Sequence, residues 1–154
     1  MKKLLGLLFS AFFPFFAGLL SIYFLFDSYS WYSSINQPLF GVSFSSIVSG
    51  WFLSYFFTGL SLYCIWDKKP LNQLWLEVSV YLAQLLLSVI WFMSFFKFQN
   101  PSISFIEMFF LLPLVSFFSL RFYKVNKKTA YFLVPYLLWI SFVAIINFSI
   151  VILN

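Results

Sequence analysis

Residues 124–153 read KVNKKTAYFLVPYLLWISFVAIINFSIVIL, and this stretch decides the fold class. Lys124, Lys127 and Lys128 stand at its head, and no charged residue follows between Ala130 and Leu153. As a helix, the run from Ala130 onward is about 36 Å long at the α-helical rise, enough to cross a hydrocarbon core ~30 Å thick. Working outward, runs of the same character cover 4–26, 45–66, 73–96 and 102–122. The breaks carry stop and start signals: the polar segment Asp27 to Gly41 with Pro38, the charged turn Asp67-Lys68-Lys69-Pro70, the helix start Asn100-Pro101, and the basic loop Lys124 to Thr129. The prediction is an all-α integral membrane protein, a five-transmembrane-helix bundle in which 1–154 form one domain.

Composition agrees. Of 154 residues, 63% are hydrophobic and 8% charged, whereas a soluble domain has roughly a quarter of its residues charged. The charges also sort by side. With five spans, Lys2, Lys3, Lys68, Lys69, Arg121, Lys124, Lys127 and Lys128 fall on one side and Lys97 on the other, which predicts an inside N-terminus and an outside C-terminus. That bias points to a bacterial inner membrane, with a mitochondrial outer membrane as the alternative. The formal charge of +5 therefore reads as topological, and no nucleic-acid partner is expected. Lys2-Lys3 and the leucines after them resemble a cleaved leader, but the apolar run continues to Phe26 without a small-x-small cleavage site.

With no His in the chain, His-ligated haem, His-based metal sites and imidazole catalysis are excluded. No metal site is expected. The single Cys64 forms no internal disulfide and reads as a buried, inert thiol.

Spacing along the helices supplies candidate faces. Trp51, Tyr55, Gly59 and Tyr63 recur every four positions, an aromatic wall for either interhelical packing or a flat apolar ligand. One residue earlier, Ser46, Gly50, Ser54 and Thr58, extended by Ser61, form a small-residue ladder, a packing seam within the bundle or against a second copy. On the fifth predicted helix Pro135, Trp139, Phe142, Ile146 and Asn147 are grouped on one face. Asn147 needs a partner on another helix, with Gln84 and Ser88 the natural candidates. Pro113 and Pro135 are expected to bend their helices. Glu107 is an intramembrane carboxylate that is either functional or paired with Lys97 at the interface, while Glu77 suits the start of the third predicted helix.

Three blocks carry a family resemblance. Trp31-Tyr32-Ser33-Ser34-Ile35-Asn36-Gln37-Pro38-Leu39-Phe40 followed by Trp51, Tyr55 and Gly59 is similar to W-Y-x-x-L-x-K-P-x-W and W-x-x-x-Y-x-x-x-G. Gln84-Leu85-Leu86-Leu87-Ser88 with Trp91 to Phe96 is similar to Q-L-x-L-N-x-x-W-S-x-x-F-F. Val134-Pro135-Tyr136-Leu137-Leu138-Trp139 with Phe142, closed by Ile146-Asn147, is similar to V-P-Y-L-x-W-x-x-F and L-N. These are the motifs of the TspO/translocator-protein family, which the chain resembles over nearly its whole length. The departures are Gln37 for Lys, Phe40 for Trp, Val42-Ser43 for Pro-Pro, Ser88 for Asn and Phe92 for Ser. The sterol-recognition segment of animal members is absent from Phe148 to Asn154.

The resemblance implies a membrane receptor for tetrapyrroles such as protoporphyrin IX, or for drug-like flat ligands, in an aromatic pocket under the first loop. It implies ligand contacts from Trp31, Pro38, Phe40, Trp51, Tyr55, Gln84, Ser88, Trp91, Phe92, Pro135, Trp139, Phe142 and Asn147, and a homodimer. The porphyrin would be the ligand, with no cofactor required. Two alternatives come with it: light- and oxygen-dependent porphyrin breakdown, with Trp51 and Trp139 as candidates, and tetrapyrrole transport or stress regulation. No acid/base or nucleophile constellation accompanies either, so enzymatic activity stays open.

Overall fold

Apolar runs punctuated by prolines, asparagines and lysines fold into helices whose ends fall at those punctuation marks. The computed structural model describes residues 7, 8, 10–25, 28–70 and 73–154. Lys2, Lys3 and Asp27, which entered the charge and loop readings, lie outside them. The helices are α1 (Phe15–Tyr23), α2 (Ser28–Ser34), α3 (Phe44–Trp66), α4 (Trp75–Phe92), α5 (Pro101–Val125) and α6 (Ala130–Leu153). Among the described residues there is no strand.

Four helical segments, Phe44–Trp66, Trp75–Lys97, Pro101–Val125 and Lys127–Leu153, are long and apolar enough to cross a membrane. The fifth span is the bent pair Ser10–Tyr23 and Ser28–Ser34, which is long and apolar enough only when taken together and turns by 75° at its break. It is interrupted at Phe13–Pro14, where proline has no N–H to give to the helix. Around the bundle α1 lies against α3 and α4, α3 against α6, α6 against α5, and α5 against α4, which closes the ring. The outer surface is apolar: Phe109, Phe110, Leu138 and Ile152 are each more than 60% exposed, a surface that only lipid solvates at low cost. The protein is an integral membrane protein.

Local chemistry fixes the ends. Ser43 accepts from the Ser46 N–H at the start of α3, and Asn100 accepts from the Ile103 N–H while Pro101 occupies the first turn of α5, both standard N-terminal satisfaction of free amides. α4 continues into a π-helical turn, Met93–Lys97. Ser28 Oγ on the first loop donates to the Phe96 carbonyl of that turn at 3.2 Å. At the opposite end Asn126 Nδ2 donates to the Cys64 carbonyl at 2.8 Å, which ties the α5–α6 connector to the end of α3. The loops bearing Lys68, Lys69, Lys127 and Lys128 therefore share one end of the bundle.

Glycines show where backbones approach. A Cβ at Gly59 would stand 2.5 Å from the Ser10 carbonyl oxygen, so this glycine admits the first span. A Cβ at Gly50 would stand 2.1 Å from Cζ2 of Trp139. The small-residue ladder is thus a seam within this chain, with Gly50 receiving the indole from α6. Both α5 and α6 run through their prolines, and Pro113 and Pro135 each line a lateral groove instead of the interior.

One ion pair joins α4 to α5: Arg121 donates through Nε and Nη2 to Glu77 Oε1. Glu77 is 5% exposed and stands in the first turn of α4 as the sequence suggested, and the Arg121 guanidinium is a partner that the sequence did not show. Glu107 is partnered by a hydroxyl and not by Lys97, one of the partners that the sequence offered. Its Oε1 accepts from Ser94 Oγ at 2.6 Å across α4 and α5, while Lys97 is exposed.

Candidate ligand-binding site

The interior face of α3 begins with Trp51 and Tyr55, which are 0% and 1% exposed. Helical periodicity then brings Ser88, Trp91 and Phe92 of α4 opposite them. Trp51 lies 5.2 Å from Trp91 and 5.3 Å from Phe92, ring centre to ring centre. Trp91 stacks on Phe95 at 5.0 Å with 13° between planes. Phe95 then meets Trp31 of the first loop edge-on at 5.4 Å. The result is a continuous aromatic column from the bundle centre to the loop, in which neighbouring rings adopt the offset and edge-to-face contacts their quadrupoles favour.

Polar groups are threaded through this column. Tyr55 and Ser88 hydroxyls lie 3.0 Å apart, and Ser21 Oγ of the first span approaches Tyr55 at 3.5 Å. Tyr136 donates to Gln84 Oε1. Trp91 Nε1 donates to Asn147 Oδ1 at 3.1 Å, and Asn147 Nδ2 donates to the Pro101 carbonyl at 2.8 Å. Asn147 therefore ties α4, α5 and α6 together. Its partners are not Gln84 or Ser88, because those two are taken by Tyr136 and Tyr55. Within this column Trp51 Nε1 and Gln84 Nε2 are buried donors without an acceptor among the described residues.

The face assumed for the fifth predicted helix divides. Tyr136, Ile140, Val143 and Asn147 point inward. Trp139 lies eight residues from Asn147, roughly 80° away around the helix, and turns out of the core. With Pro135 and Phe142 it lines a groove of ≈ 460 Å³ against Gly50, Leu53, Ser54 and Phe57 of α3. Leu53 and Leu138 on its walls are 54% and 67% exposed, so the groove opens sideways toward lipid. Trp139 Nε1 is buried there without an acceptor.

The first loop covers the column. Tyr32 is fully buried against Phe44, Phe95 and Phe96, and its hydroxyl donates to the Val42 carbonyl at 2.8 Å. Gln37 Nε2 donates to the Tyr32 carbonyl at 2.9 Å. Asn36 and Asn154 clasp each other: the Asn36 N–H donates to Asn154 Oδ1 at 2.9 Å, and Asn154 Nδ2 donates to the Asn36 carbonyl at 3.0 Å. The positions where this chain departs from the motif thus supply loop contacts, Gln37 and Val42 to Tyr32 and Ser43 as a helix cap. Pro38 opens a tight turn closed by the Gly41 N–H. Phe40 on that turn is 50% exposed, away from the column.

The sequence reading did not single out Tyr136 or Tyr81. Tyr136 was hidden beside Pro135. The signal that finds it is the 3- and 4-residue spacing backward from Asn147 through Val143 and Ile140. Among the described residues no three His, Cys, Asp or Glu side chains group to hold a metal ion.

The model of the TspO/MBR family matches residues 10–153. The tryptophan-rich protein TspO of Archaeoglobus fulgidus is 29% identical over 125 residues, 81% of this chain and 80% of that protein. The protein of the same name from Chlorobaculum tepidum is 35% identical over 89 residues, 58% of this chain and 54% of its own length. Translocator protein 2 of the dog is 27% identical over 124 residues, 77% of this chain and 70% of that protein. The matched span takes in the first loop, the interior column and the closing Asn147, and this chain belongs to the TspO/MBR family.

Proposed function

We propose that the protein is a membrane receptor for a tetrapyrrole, or a related flat apolar ligand, held between α3, α4 and α6 beneath the first loop. The observation that carries this reading is the pair of buried donors without acceptors, Trp51 Nε1 and Gln84 Nε2, inside an aromatic column whose other polar groups named above are paired. A buried unpaired donor costs about 1–3 kcal/mol, a cost that an acceptor on a bound ligand removes. Ring faces suit the body of a macrocycle, and the polar loop suits its carboxylates.

The column is closed in this structure: Trp51 and Trp91 are 0% exposed and in ring contact. A macrocycle enters only if the loop lifts and the rings part. The groove beside Trp139 favours a second reading, since its ≈ 460 Å³ already lies within the ~300–1,000 Å³ range of small-molecule sites. On this reading the ligand lies on the lipid-facing seam of α3 and α6 and leaves the loop in place.

One titration separates them. Protoporphyrin IX is added in the dark to the detergent-purified protein, and tryptophan quenching is followed in the intact chain, Trp51→Phe and Trp139→Phe. Weakening confined to Trp51→Phe supports the interior site, and weakening confined to Trp139→Phe supports the groove. Absence of saturable binding in the intact chain defeats both. Illumination of the complex then tests porphyrin breakdown, which requires product that forms only in light, and uptake by protein-bearing liposomes tests transport. The charge bias supports insertion in a bacterial inner membrane with the basic end inside. Cysteine-accessibility mapping at positions 69 and 97 tests that orientation, and crosslinking in native membranes tests the homodimer.

A further inference from the structure

At the basic end of the bundle a second groove, distinct from both sites above, runs between α5 and α6. It has a volume of ≈ 450 Å³, and its lining includes Ser119, Leu120, Tyr123, Ala130, Val134 and Leu137. Leu120 and Val134 are 61% and 52% exposed, so the groove is open to lipid along its length. Three lysines lie close to it in sequence: Lys124 follows the lining residue Tyr123, and Lys127 and Lys128 occupy the connector that ends at the lining residue Ala130. All three are exposed.

Of the neighbouring acids, Glu77 is taken by Arg121, and Asp67 stands at the end of α3 beside Lys68 and Lys69. Among the lining residues Ser119 is 9% exposed, and its buried Oγ has no partner in the structure. Its neighbour Ser116 instead satisfies itself on the Leu112 carbonyl.

We propose that this groove holds one anionic glycerophospholipid, with its phosphate at Lys124, Lys127 and Lys128, a glycerol ester carbonyl accepting from Ser119, and an acyl chain along Leu120, Val134 and Leu137. The depths agree. Ser119 lies five residues below Lys124, roughly 7.5 Å along the helix. The interfacial layer between hydrocarbon and headgroup surface is about 5–8 Å per leaflet. A cationic cluster beside an apolar groove at a helix end is the chemistry that selects an anionic headgroup over a zwitterionic one.

The test uses the full chain in mild detergent and native mass spectrometry, with dioleoylphosphatidylglycerol and dioleoylphosphatidylcholine offered in equal amounts. The expected result is a single retained adduct of the anionic lipid, favoured by on the order of tenfold or more and not displaced by excess glycerol 3-phosphate. Lys124→Gln/Lys127→Gln/Lys128→Gln should remove the preference, and Lys68→Gln/Lys69→Gln should leave it. Leu120→Trp/Val134→Trp, placed at lipid-facing positions that the fold does not pack, should remove the adduct of either lipid. Equal retention of the two lipids overturns the proposal, as does a preference that survives the triple substitution. So does an equal loss on removing Lys68 and Lys69, an adduct indifferent to the two tryptophans, or displacement by glycerol 3-phosphate, which would mean a phosphate site with no use for the chain. The lysine variants alter only exposed side chains, so the experiment remains decisive if the tryptophan variant does not fold.

Discussion

Gly50 and Trp51 are adjacent in sequence and belong to different worlds. Trp51 points into the bundle, where Tyr55, Trp91 and Phe92 surround it. Gly50, about 100° around the helix, faces outward and forms the floor on which Trp139 rests. Each region contains a tryptophan whose Nε1 is buried without an acceptor. In one the rings close on each other and exclude everything else. In the other a glycine makes room and the space beside the ring stays open to lipid. In a chain that is 26% aromatic, aromatic identity says little about role. The small residue opposite decides whether a ring is a keystone or a wall.

Four experiments break or sharpen this contrast. The largest effect is expected from Trp91→Ala, which removes the ring shared by Trp51 and Phe95 and leaves Asn147 Oδ1 without its donor. A loss of about 3–5 kcal/mol should appear in unfolding titrations, and a loss below 1 kcal/mol would show that the column is not the keystone. Gly50→Leu comes next. Its side chain must displace the Trp139 indole, at a cost of about 1–3 kcal/mol, and Trp139 fluorescence should shift toward that of a lipid-exposed indole while the column is unchanged. Asn147→Leu should cost about 1–2 kcal/mol, because Trp91 Nε1 and the Pro101 carbonyl lose their partner; Phe142→Leu, on the groove side of the same helix, should cost less. The smallest change in stability should follow Asn154→Ala, on the order of 1 kcal/mol. Its signature is instead faster amide exchange in residues 36–41, as the clasp on the Asn36 backbone is lost, with exchange around Gly50 unaffected.

Much of the fold was legible because lipid is a demanding solvent. A hydrocarbon layer forces backbone polar groups into helices and requires each to be about twenty apolar residues long. The run after Lys128 and its four counterparts could hardly be anything else. The inward direction of Trp51 and Tyr55 was legible too, since four-residue spacing sets a face. The fifth predicted helix was misread for a related reason. With nearly every residue apolar from Ala130 to Leu153, hydrophobicity marks no inner side, and the family blocks drew attention to Pro135 and Trp139. Asn147, the residue that cannot face lipid, was the better origin, and counting back from it leads to Tyr136. Pairings such as Glu77 with Arg121, 44 residues apart, left no local trace.

By itself the sequence determined that the chain crosses a membrane as helices, where the four long ones begin and end to within a few residues, and which end of the bundle is basic, because each of these follows from free energies summed along a single segment. Tertiary structure alone decided which aromatic rings stack, which amide ties three helices, and which tryptophan lies over a glycine. Those outcomes depend on the rotation of each helix about its own axis, and in a uniformly apolar segment that rotation is set only by what the neighbouring helices present.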